Sequence, residues 1–212
     1  MSDRRSRMVK EGFIFSVPPL LLGVAALGLR WYWAAGVFLF LGAFVLYFFR
    51  DPRRVPPTEP DAVVSPADGR VVEIVDEPFD ARPGKRISIF LSVWDVHVNR
   101  APVEGVIRKV EYRPGRFYAA LRARASTENE QNVIHVSSPR GEMVFKQIAG
   151  WIARRVLCWK CEGEPVAMGE RVGMIRFGSR VDVWLPPEAE IVVHRGQHVA
   201  AGSDILARWK GQ

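Results

Sequence analysis

The sequence predicts a mainly β domain preceded by an N-terminal hydrophobic α-helical hairpin, and three observations support this fold class. Two apolar stretches, 13–29 and 31–49, lie back to back near the start of the 212-residue chain. Beyond residue 60, short apolar runs are interrupted by Gly, Pro and Asp, a pattern typical of strands joined by tight turns. Two segments of this region recur in altered form further along the chain, which indicates a β fold with quasi-two-fold repetition.

The two apolar stretches predict membrane-associated helices. Each is close to the roughly 17 to 25 residues that a spanning helix needs, and only Arg30 separates them. We therefore expect a helical hairpin or a shallow re-entrant pair, kinked at Pro18 and Pro19. A cleaved signal peptide is the less favoured alternative, because no small-residue cleavage site ends the first stretch and a second apolar stretch follows it.

The positive charge of the chain, formally +7, is concentrated beside the apolar stretches. Residues 1–54 hold eight Lys and Arg against three Asp and Glu, whereas the rest of the chain holds 22 against 20. The positive-inside rule places such flanks in the cytoplasm, so we expect the following domain on the cytoplasmic face of the cell inner membrane. Basic residues in this position favour contact with anionic lipid headgroups and argue against a nucleic-acid-binding domain.

A proline-rich linker, 52–60, separates the hairpin from the remaining residues. The predicted domains are a membrane-anchoring unit, 1–54, and a globular domain, 55–212, which is long enough to form one hydrophobic core. Within the globular domain the predicted strands are 69–75, 86–93, 133–137, 143–148 and 181–185.

The internal duplications give the globular domain a more specific architecture. Residues 65–72 (SPADGRVV) are echoed by 101–107 (APVEGVI), and 163–175 (GEPVAMGERVGMI) by 196–206 (GQHVAAGSDIL). The second pair resembles the hammerhead strands of biotinyl and lipoyl carrier domains, in which glycines turn the chain between short strands. The resemblance implies a barrel-sandwich fold.

The Gly178-Ser179 pair is the candidate for unusual chemistry. A serine hydroxyl held against the preceding carbonyl can attack it and convert the amide to an ester, and β-elimination and hydrolysis then leave an N-terminal pyruvoyl group. Glycine suits the position before the serine because it tolerates strained backbone angles. A pyruvoyl carbonyl condenses with amines and acts as an electron sink, as cofactors do in carbanion chemistry. An ordinary turn is the alternative interpretation of Gly-Ser alone.

Asp68 and His97 are the candidate assistants of Ser179. Asp68 lies in a Pro-Ala-Asp-Gly segment, where the alternative is a simple turn aspartate. His97 is expected at the end of an apolar strand, and strand alternation would place Asp95, His97 and Asn99 on one unusually polar face. With Ser179 these residues would provide a base and an orienting group around a nucleophile.

Taken together, these motifs resemble the phosphatidylserine decarboxylase family, in its short form that matures by self-cleavage to a pyruvoyl enzyme. The resemblance covers nearly the whole chain, and its specific segments are the apolar hairpin, 49–54 (FRDPRR), 65–69 (SPADG), 90–102, 128–132 (ENEQN), 147–150 (QIAG), 153–155 (ARR) and 177–182 (FGSRVD). It implies a carboxy-lyase that makes phosphatidylethanolamine and CO2, with Gly178-Ser179 as the scissile bond, Ser179 as the pyruvoyl precursor, and Asp68 and His97 as assistants in cleavage and proton transfer.

The same resemblance implies the partners of the chain. Cleavage would give a large chain, 1–178, and a small chain, 179–212, and the substrate would be phosphatidylserine in a membrane. No metal is expected, and the oligomeric state is left open between a monomer and a homo-oligomer. Guanidinium groups suit phosphate and carboxylate, and the candidate substrate-binding residues are Arg100, Arg154, Arg155 and Arg180. The longer members of the family carry two histidines three residues apart, whereas this chain has His97 and Arg100, so a single histidine must serve as the base.

Two other functions compete with this one. A membrane-anchored lipoyl-like carrier or adaptor barrel would need no catalysis, but the chain lacks the exposed lysine hairpin of carriers. A pyruvoyl decarboxylase of a soluble amino acid would need no membrane anchor. Cys158 and Cys161 form a C-x-x-C motif, but a zinc site would need a second ligand pair and a thioredoxin-like motif a neighbouring βαβ unit.

Overall fold

The structure is a computed structural model that describes residues 8–80, 82–122, 124–151, 155–176 and 178–210. The chain divides into two compact units, one ending at Arg53 and one beginning at Arg54. The first unit is helical and the second is almost entirely β. The mainly β fold class with a preceding apolar helical pair is therefore confirmed, whereas the barrel-sandwich assignment stays a prediction.

The N-terminal unit is an antiparallel pair of helices, α1 (Lys10–Gly28) and α2 (Tyr32–Phe48). The two helices approach closely because Gly23 packs against Leu39 and Gly42 packs against Leu20, where any larger side chain would collide. Helix α1 is continuous through Pro18 and Pro19. Within the described residues, α1 is the one helix long and apolar enough to cross a bilayer, and α2, with 17 residues, is shorter.

The outer surface of the helical pair is apolar. Its large exposed side chains include Phe13, Ile14, Leu21, Trp33 and Phe40. Exposed apolar surface on this scale is unfavourable in water and is typical of segments that contact lipid. The composition and length of α1 thus fit membrane association.

The second unit contains fourteen short strands and one helical turn among the described residues. The strands are β1 (Ala62–Val64), β2 (Gly69–Asp76), β3 (Lys85–Leu91), β4 (Val98–Arg100), β5 (Gly105–Arg113), β6 (Gln131–Ser138), β7 (Gly141–Ile148), β8 (Val156–Cys158), β9 (Pro165–Val166), β10 (Arg171–Ile175), β11 (Ser179–Leu185), β12 (Ala189–Ile191), β13 (His198–Val199) and β14 (Ile205–Trp209), and the helical turn is α3 (Ala125–Glu128).

All strand pairs between these elements are antiparallel, and they form three sheets. The largest has the order β13-β2-β3-β11-β7-β6-β5-β9, and the two small sheets have the orders β1-β14-β12 and β4-β10-β8. Strand β11 is central, since it pairs with β3 on one side and β7 on the other. Every residue of β11 is buried.

The predicted duplications correspond to repeated local structure. Strand β2 of the first segment pairs with β13, and β5 of its echo pairs with β9 in the same antiparallel manner. The Gly202 N–H donates to the Ser65 carbonyl at 2.8 Å, and the Gly169 N–H donates to the Ala101 carbonyl at 2.9 Å. The same backbone hydrogen bond therefore joins segment 196–206 to segment 65–72 and segment 163–175 to segment 101–107. This repeated contact accounts for the quasi-two-fold pattern in the sequence.

The core of the β unit lies on the inner face of the large sheet. Its fully buried members include Ile87, Ile89, Phe145, Val181 and Val183. Strand alternation places residues 179, 181, 183 and 185 of β11 on this face and residues 180, 182 and 184 on the other. At the N-terminal end of β11, Ser179 therefore lies on the inner face, whereas the charged residues Arg180 and Asp182 lie on the other face.

Candidate active site

Ser179 is the first residue of β11 and lies opposite Leu91, the last residue of β3. Its side chain is fully buried, and its Oγ has no hydrogen-bond partner among the described residues. A buried hydroxyl without a partner costs about 1–3 kcal/mol relative to a satisfied one. Such a group is rare in a folded chain and is a candidate for chemistry.

Gly178 has a left-handed backbone conformation, with φ +55°. Side chains are disfavoured in this region even though the space beside Gly178 is open. The Gly178 carbonyl lies directly against Gly150, where a Cβ would overlap the carbonyl oxygen. Two glycines thus set the position of the carbonyl that precedes Ser179.

His97 is fully buried and lies in a loop before β4, not at the end of a strand as predicted. Strand β3 already ends at Leu91, because the Asp95 carboxylate accepts hydrogen bonds from the Ser92 N–H and hydroxyl, both at 2.7 Å, and closes a turn. The predicted shared face of Asp95, His97 and Asn99 is therefore wrong for Asp95, which belongs to this turn.

The ring of His97 is oriented by a backbone carbonyl. Its Nδ1 lies 2.9 Å from the carbonyl oxygen of Asp95. A carbonyl can only accept, so Nδ1 carries the proton and, in the neutral ring, Nε2 carries the lone pair. The His97 carbonyl accepts the Ile175 N–H at 3.2 Å, which ties His97 to the segment leading to Gly178.

Asp68 is buried and its two carboxylate oxygens are both engaged. Oδ1 accepts the Ala201 N–H at 2.7 Å, and Oδ2 accepts Nη2 of Arg54 at 2.5 Å. Burial raises the pKa of the Asp68 carboxyl, while the Ala201 N–H and the Arg54 guanidinium oppose the shift. Among the described contacts, the hydrogen bonds of Asp68 go to Ala201 and Arg54, and its predicted role as an assistant of Ser179 stays a prediction.

Arg54 is a residue of the site that sequence reasoning missed. The sequence places it among the basic residues that follow the second apolar stretch, which predicts a place beside the membrane. Its side chain is only 18% exposed and pairs with Asp68. The available signal was its place at the end of the 49–54 segment, but sequence alone does not show which acid it meets.

The candidate substrate-binding arginines are in three different settings. Arg100 is buried, and its Nη1 donates to the Gly169 carbonyl at 3.0 Å. Arg155 is exposed, and its carbonyl accepts the Arg176 N–H at 3.3 Å. Arg154 lies outside the described residues.

Arg180 faces away from Ser179 and has a buried acidic partner. Its Nε and Nη2 donate to the two carboxylate oxygens of Asp182 at 2.6 and 3.0 Å. On the same outer face, Arg86 hydrogen-bonds to Glu73 at 2.8 Å and to Glu77 at 2.9 Å. Arg180 also lines a groove of about 800 Å³ beside β2. The geometry gives Arg180 a structural ion pair and leaves its predicted role in substrate binding a proposal.

A chain of buried amides crosses the inner face of the sheet beside β11. Asn132 Nδ2 donates to Gln147 Oε1 at 3.1 Å, and Gln147 Nε2 donates to Asn99 Oδ1 at 2.8 Å. Gln147 pairs in register with Val181, two residues after Ser179. A satisfied buried network of this kind rigidifies its surroundings. It fixes β7 against β4, the strand that directly follows His97.

The described residues contain no cluster of three or more His, Cys, Asp and Glu side chains that could hold a metal ion. Cys158 is half-buried on β8 and Cys161 is exposed. Burial raises the pKa of the Cys158 thiol. This environment makes Cys158 a poor nucleophile at neutral pH.

The fold and the site together define a class: a small antiparallel β protein with a Gly-Ser pair, its serine buried, at the start of a central strand, and with an apolar helical pair before it. The family model for phosphatidylserine decarboxylase matches residues 41–207. A phosphatidylserine decarboxylase proenzyme of Solibacter usitatus is 52% identical over 170 residues, covering 80% of this chain and 81% of the relative. That of Magnetococcus marinus is 43% identical over 217 residues, covering 99% of each chain. The chain belongs to the phosphatidylserine decarboxylase family.

Proposed function

We propose that this protein is a self-processing phosphatidylserine decarboxylase that converts phosphatidylserine to phosphatidylethanolamine and CO2. Membership of the family supports the reaction, and the relatives are named as proenzymes. The observation that carries the self-processing is the buried Ser179 hydroxyl without a described partner, directly after the left-handed Gly178.

The first step is attack of Ser179 Oγ on the carbonyl carbon of Gly178. The C–N bond breaks, the nitrogen of Ser179 takes a proton, and an ester joins the two residues. Loss of the Ser179 Cα proton then breaks the Cβ–Oγ bond and releases the Gly178 carboxylate. Water replaces the nitrogen, ammonia leaves, and the small chain begins with a pyruvoyl group.

His97 is the proposed base of this step. The Asp95 carbonyl holds Nδ1 protonated, so Nε2 is the atom that takes the Ser179 proton. The hydrogen bond between His97 Nε2 and Ser179 Oγ that this step requires is of a kind that often forms or tightens only in the reacting state. The buried carboxylate of Asp68 is proposed to stabilise the imidazolium that forms.

The residues present fit a pyruvoyl group, because Ser179 is enclosed yet the space beside Gly178 is open. Such a group would supply an electrophilic carbonyl to which the substrate amine can bond. It would delocalise the electron pair that stays on the substrate carbon when CO2 leaves. His97 returns a proton to the carbon that has lost its carboxyl group. Arg100, Arg155 and Arg180, together with Arg154, are proposed to bind the phosphate and carboxylate of the lipid.

The helical pair is the proposed membrane anchor. Its apolar outer surface and the basic residues of 1–54 support insertion with the β unit, 55–212, on the cytoplasmic face of the inner membrane. The substrate lies in the same bilayer, so an anchored enzyme meets it by diffusion in two dimensions.

Intact mass spectrometry of the purified full chain tests the proposal. We expect two fragments, 1–178 and 179–212, the smaller lacking the mass of one ammonia relative to a serine-ended fragment. Ser179→Ala should remain a single chain of full mass without decarboxylase activity, because no Oγ is present to attack. Normal activity of that variant, or an uncut but active wild-type protein, would exclude the pyruvoyl mechanism.

A further inference from the structure

Three loops meet at the end of the large sheet where Ser179 lies. Strand β3 ends there at Leu91, β7 ends at Ile148, and β11 begins at Ser179, and these strands are adjacent. Gly150 lies beside both the Gly178 carbonyl and Ala120. A Cβ placed on Gly150 would overlap the Gly178 carbonyl oxygen and would lie 3.5 Å from Cβ of Ala120. The loops that follow β3, β5 and β7 therefore surround the Gly178-Ser179 bond.

Each of these loops presents a large apolar side chain to solvent. Trp94 is 59% exposed, Leu121 is 60% exposed and Trp151 is 73% exposed. Leu121 and Trp151 immediately follow Ala120 and Gly150, the two residues that meet beside the Gly178 carbonyl. Solitary exposed apolar residues are common, but three around one site form a patch that marks an interaction surface.

The patch has a basic rim. Arg122, Arg124 and Arg155 are exposed in the same loops. Arg122 and Arg155 have no ion pair with any residue that the structure describes. Of the acids in these loops, Asp95 lies 2.9 Å from His198, Glu128 lies 4.0 Å from Arg116, and Glu130 is buried and accepts the Val156 N–H at 3.1 Å. The patch therefore combines tryptophan and leucine with two exposed arginines, Arg122 and Arg155, that have no ion pair among the described residues.

We propose that Trp94, Leu121 and Trp151, with Arg122, Arg124 and Arg155, form a docking surface by which the β unit binds an anionic bilayer around the entrance to Ser179. Tryptophan prefers the level of the lipid headgroups, and arginine at that level attracts anionic lipids. The proposal rests on the proposed lipid substrate, because a headgroup in a bilayer reaches a buried serine only if the surrounding loops lie at the membrane surface.

The test compares substrate in a bilayer with substrate in solution, using the full chain throughout. Phosphatidylserine is presented in vesicles containing phosphatidylglycerol, and separately as a short-chain, monomeric phosphatidylserine. The readout is the ratio of kcat/KM for the two presentations. Every variant keeps residues 1–54, so co-sedimentation with vesicles is only a control for intact anchoring. Self-cleavage is followed by mass in each sample.

We expect Trp151→Ser and Leu121→Ser to lower this ratio about tenfold each, as lost burial of a large apolar side chain in the interface implies. Trp151→Phe should retain most of the wild-type ratio. Arg122→Gln should lower the ratio about fivefold in the vesicles containing phosphatidylglycerol, and less when phosphatidylcholine replaces the phosphatidylglycerol. The matched control is Val106→Ser, which alters a 40% exposed apolar residue at the opposite end of the sheet and should have no effect.

The outcomes separate the two proposals. If wild-type protein cleaves itself and turns over both substrates while the ratio of Trp151→Ser equals that of Val106→Ser, the docking surface is wrong and the decarboxylase stands. If neither substrate is turned over, the proposed function fails first. Sedimentation gives the mass of the particle that the detergent-solubilised protein forms. If Trp151→Ser lowers this mass but leaves the ratio of kcat/KM values unchanged, the patch is an interface between two copies of the chain.

Discussion

The environment of the Gly178 carbonyl shows how single residues prepare the proposed cleavage. Ser179 and Gly178 were identified from the sequence because the chemistry itself demands a serine after a flexible residue. Gly150 could not be assigned this way, since its contact with the Gly178 carbonyl joins residues 28 positions apart through the pairing of β7 with β11. The same limit applies to Arg54, whose contact with Asp68 depends on the course of the linker.

At the residue scale, we predict that Gly150→Ala slows self-cleavage about 100-fold. The new Cβ would overlap the Gly178 carbonyl oxygen and push it out of line with Ser179 Oγ, and a displacement of about 1 Å can cost this factor in rate. The measurement is the rate of appearance of the two fragments in freshly synthesised protein, followed by denaturing electrophoresis.

The control for this substitution is Gly84→Ala at the other end of β11. Its Cβ would lie 2.8 Å from the carbonyl oxygen of Leu185, so it also crowds a backbone carbonyl of the same strand. We expect Gly84→Ala to be cleaved at close to the wild-type rate. Equally slowed cleavage of the two variants would show that crowding of β11 in general governs cleavage, and a wild-type rate for Gly150→Ala would show that the position of the Gly178 carbonyl does not matter.

At the scale of elements, the repeat places an acid before each of two matching glycines. Asp68 precedes Gly69 at the start of β2, and Glu104 precedes Gly105 at the start of β5. Asp68 is buried against Arg54, whereas Glu104 is exposed. One fold has therefore produced two equivalent turns, of which only one lies within the candidate site.

We predict that Asp68→Asn slows self-cleavage at least about tenfold, because the imidazolium of His97 would lose the proposed stabilisation by the Asp68 carboxylate, and that Glu104→Gln leaves the rate unchanged. Both variants keep the side-chain shape and the turn. Cleavage rates are measured well below the melting temperature of each protein, which is determined in parallel. A lower melting temperature of Asp68→Asn with an unaltered rate would assign Asp68 a purely structural role.

The strands show where sequence patterns succeed and where they do not. All five predicted runs coincide with strands β2, β3, β6, β7 and β11, because each is long enough for alternation to be visible. Strands β1, β4, β8, β9, β12 and β13 have only two or three residues, too few for alternation to be visible. Strands β5, β10 and β14 are longer but lie outside the predicted runs, and β5 carries a bulge between Ile107 and Lys109 that interrupts its alternation. The shortest strands form because neighbouring strands supply their hydrogen bonds, which is information held by the whole fold.

At the scale of the whole molecule, the proposed cleavage divides the chain into two parts that both contribute strands to two of the three sheets. The small chain, 179–212, would contain β11 to β14. Strand β11 lies between β3 and β7, β14 lies between β1 and β12, and β13 pairs with β2. The repeat visible in the sequence predicted two related halves. It did not predict that the proposed cleavage site would lie at the first residue of a strand in the middle of the large sheet.

We therefore predict that the two fragments remain associated after cleavage and separate only on unfolding. The seven buried residues of β11 hold the small chain in the core, so the fragments should co-elute in native size-exclusion chromatography. After complete denaturation and removal of denaturant, uncut Ser179→Ala should recover its fold, whereas the processed protein should recover far less, because its fragments must find each other at low concentration before they can fold. Dissociation of the fragments under native conditions would contradict the central placement of β11.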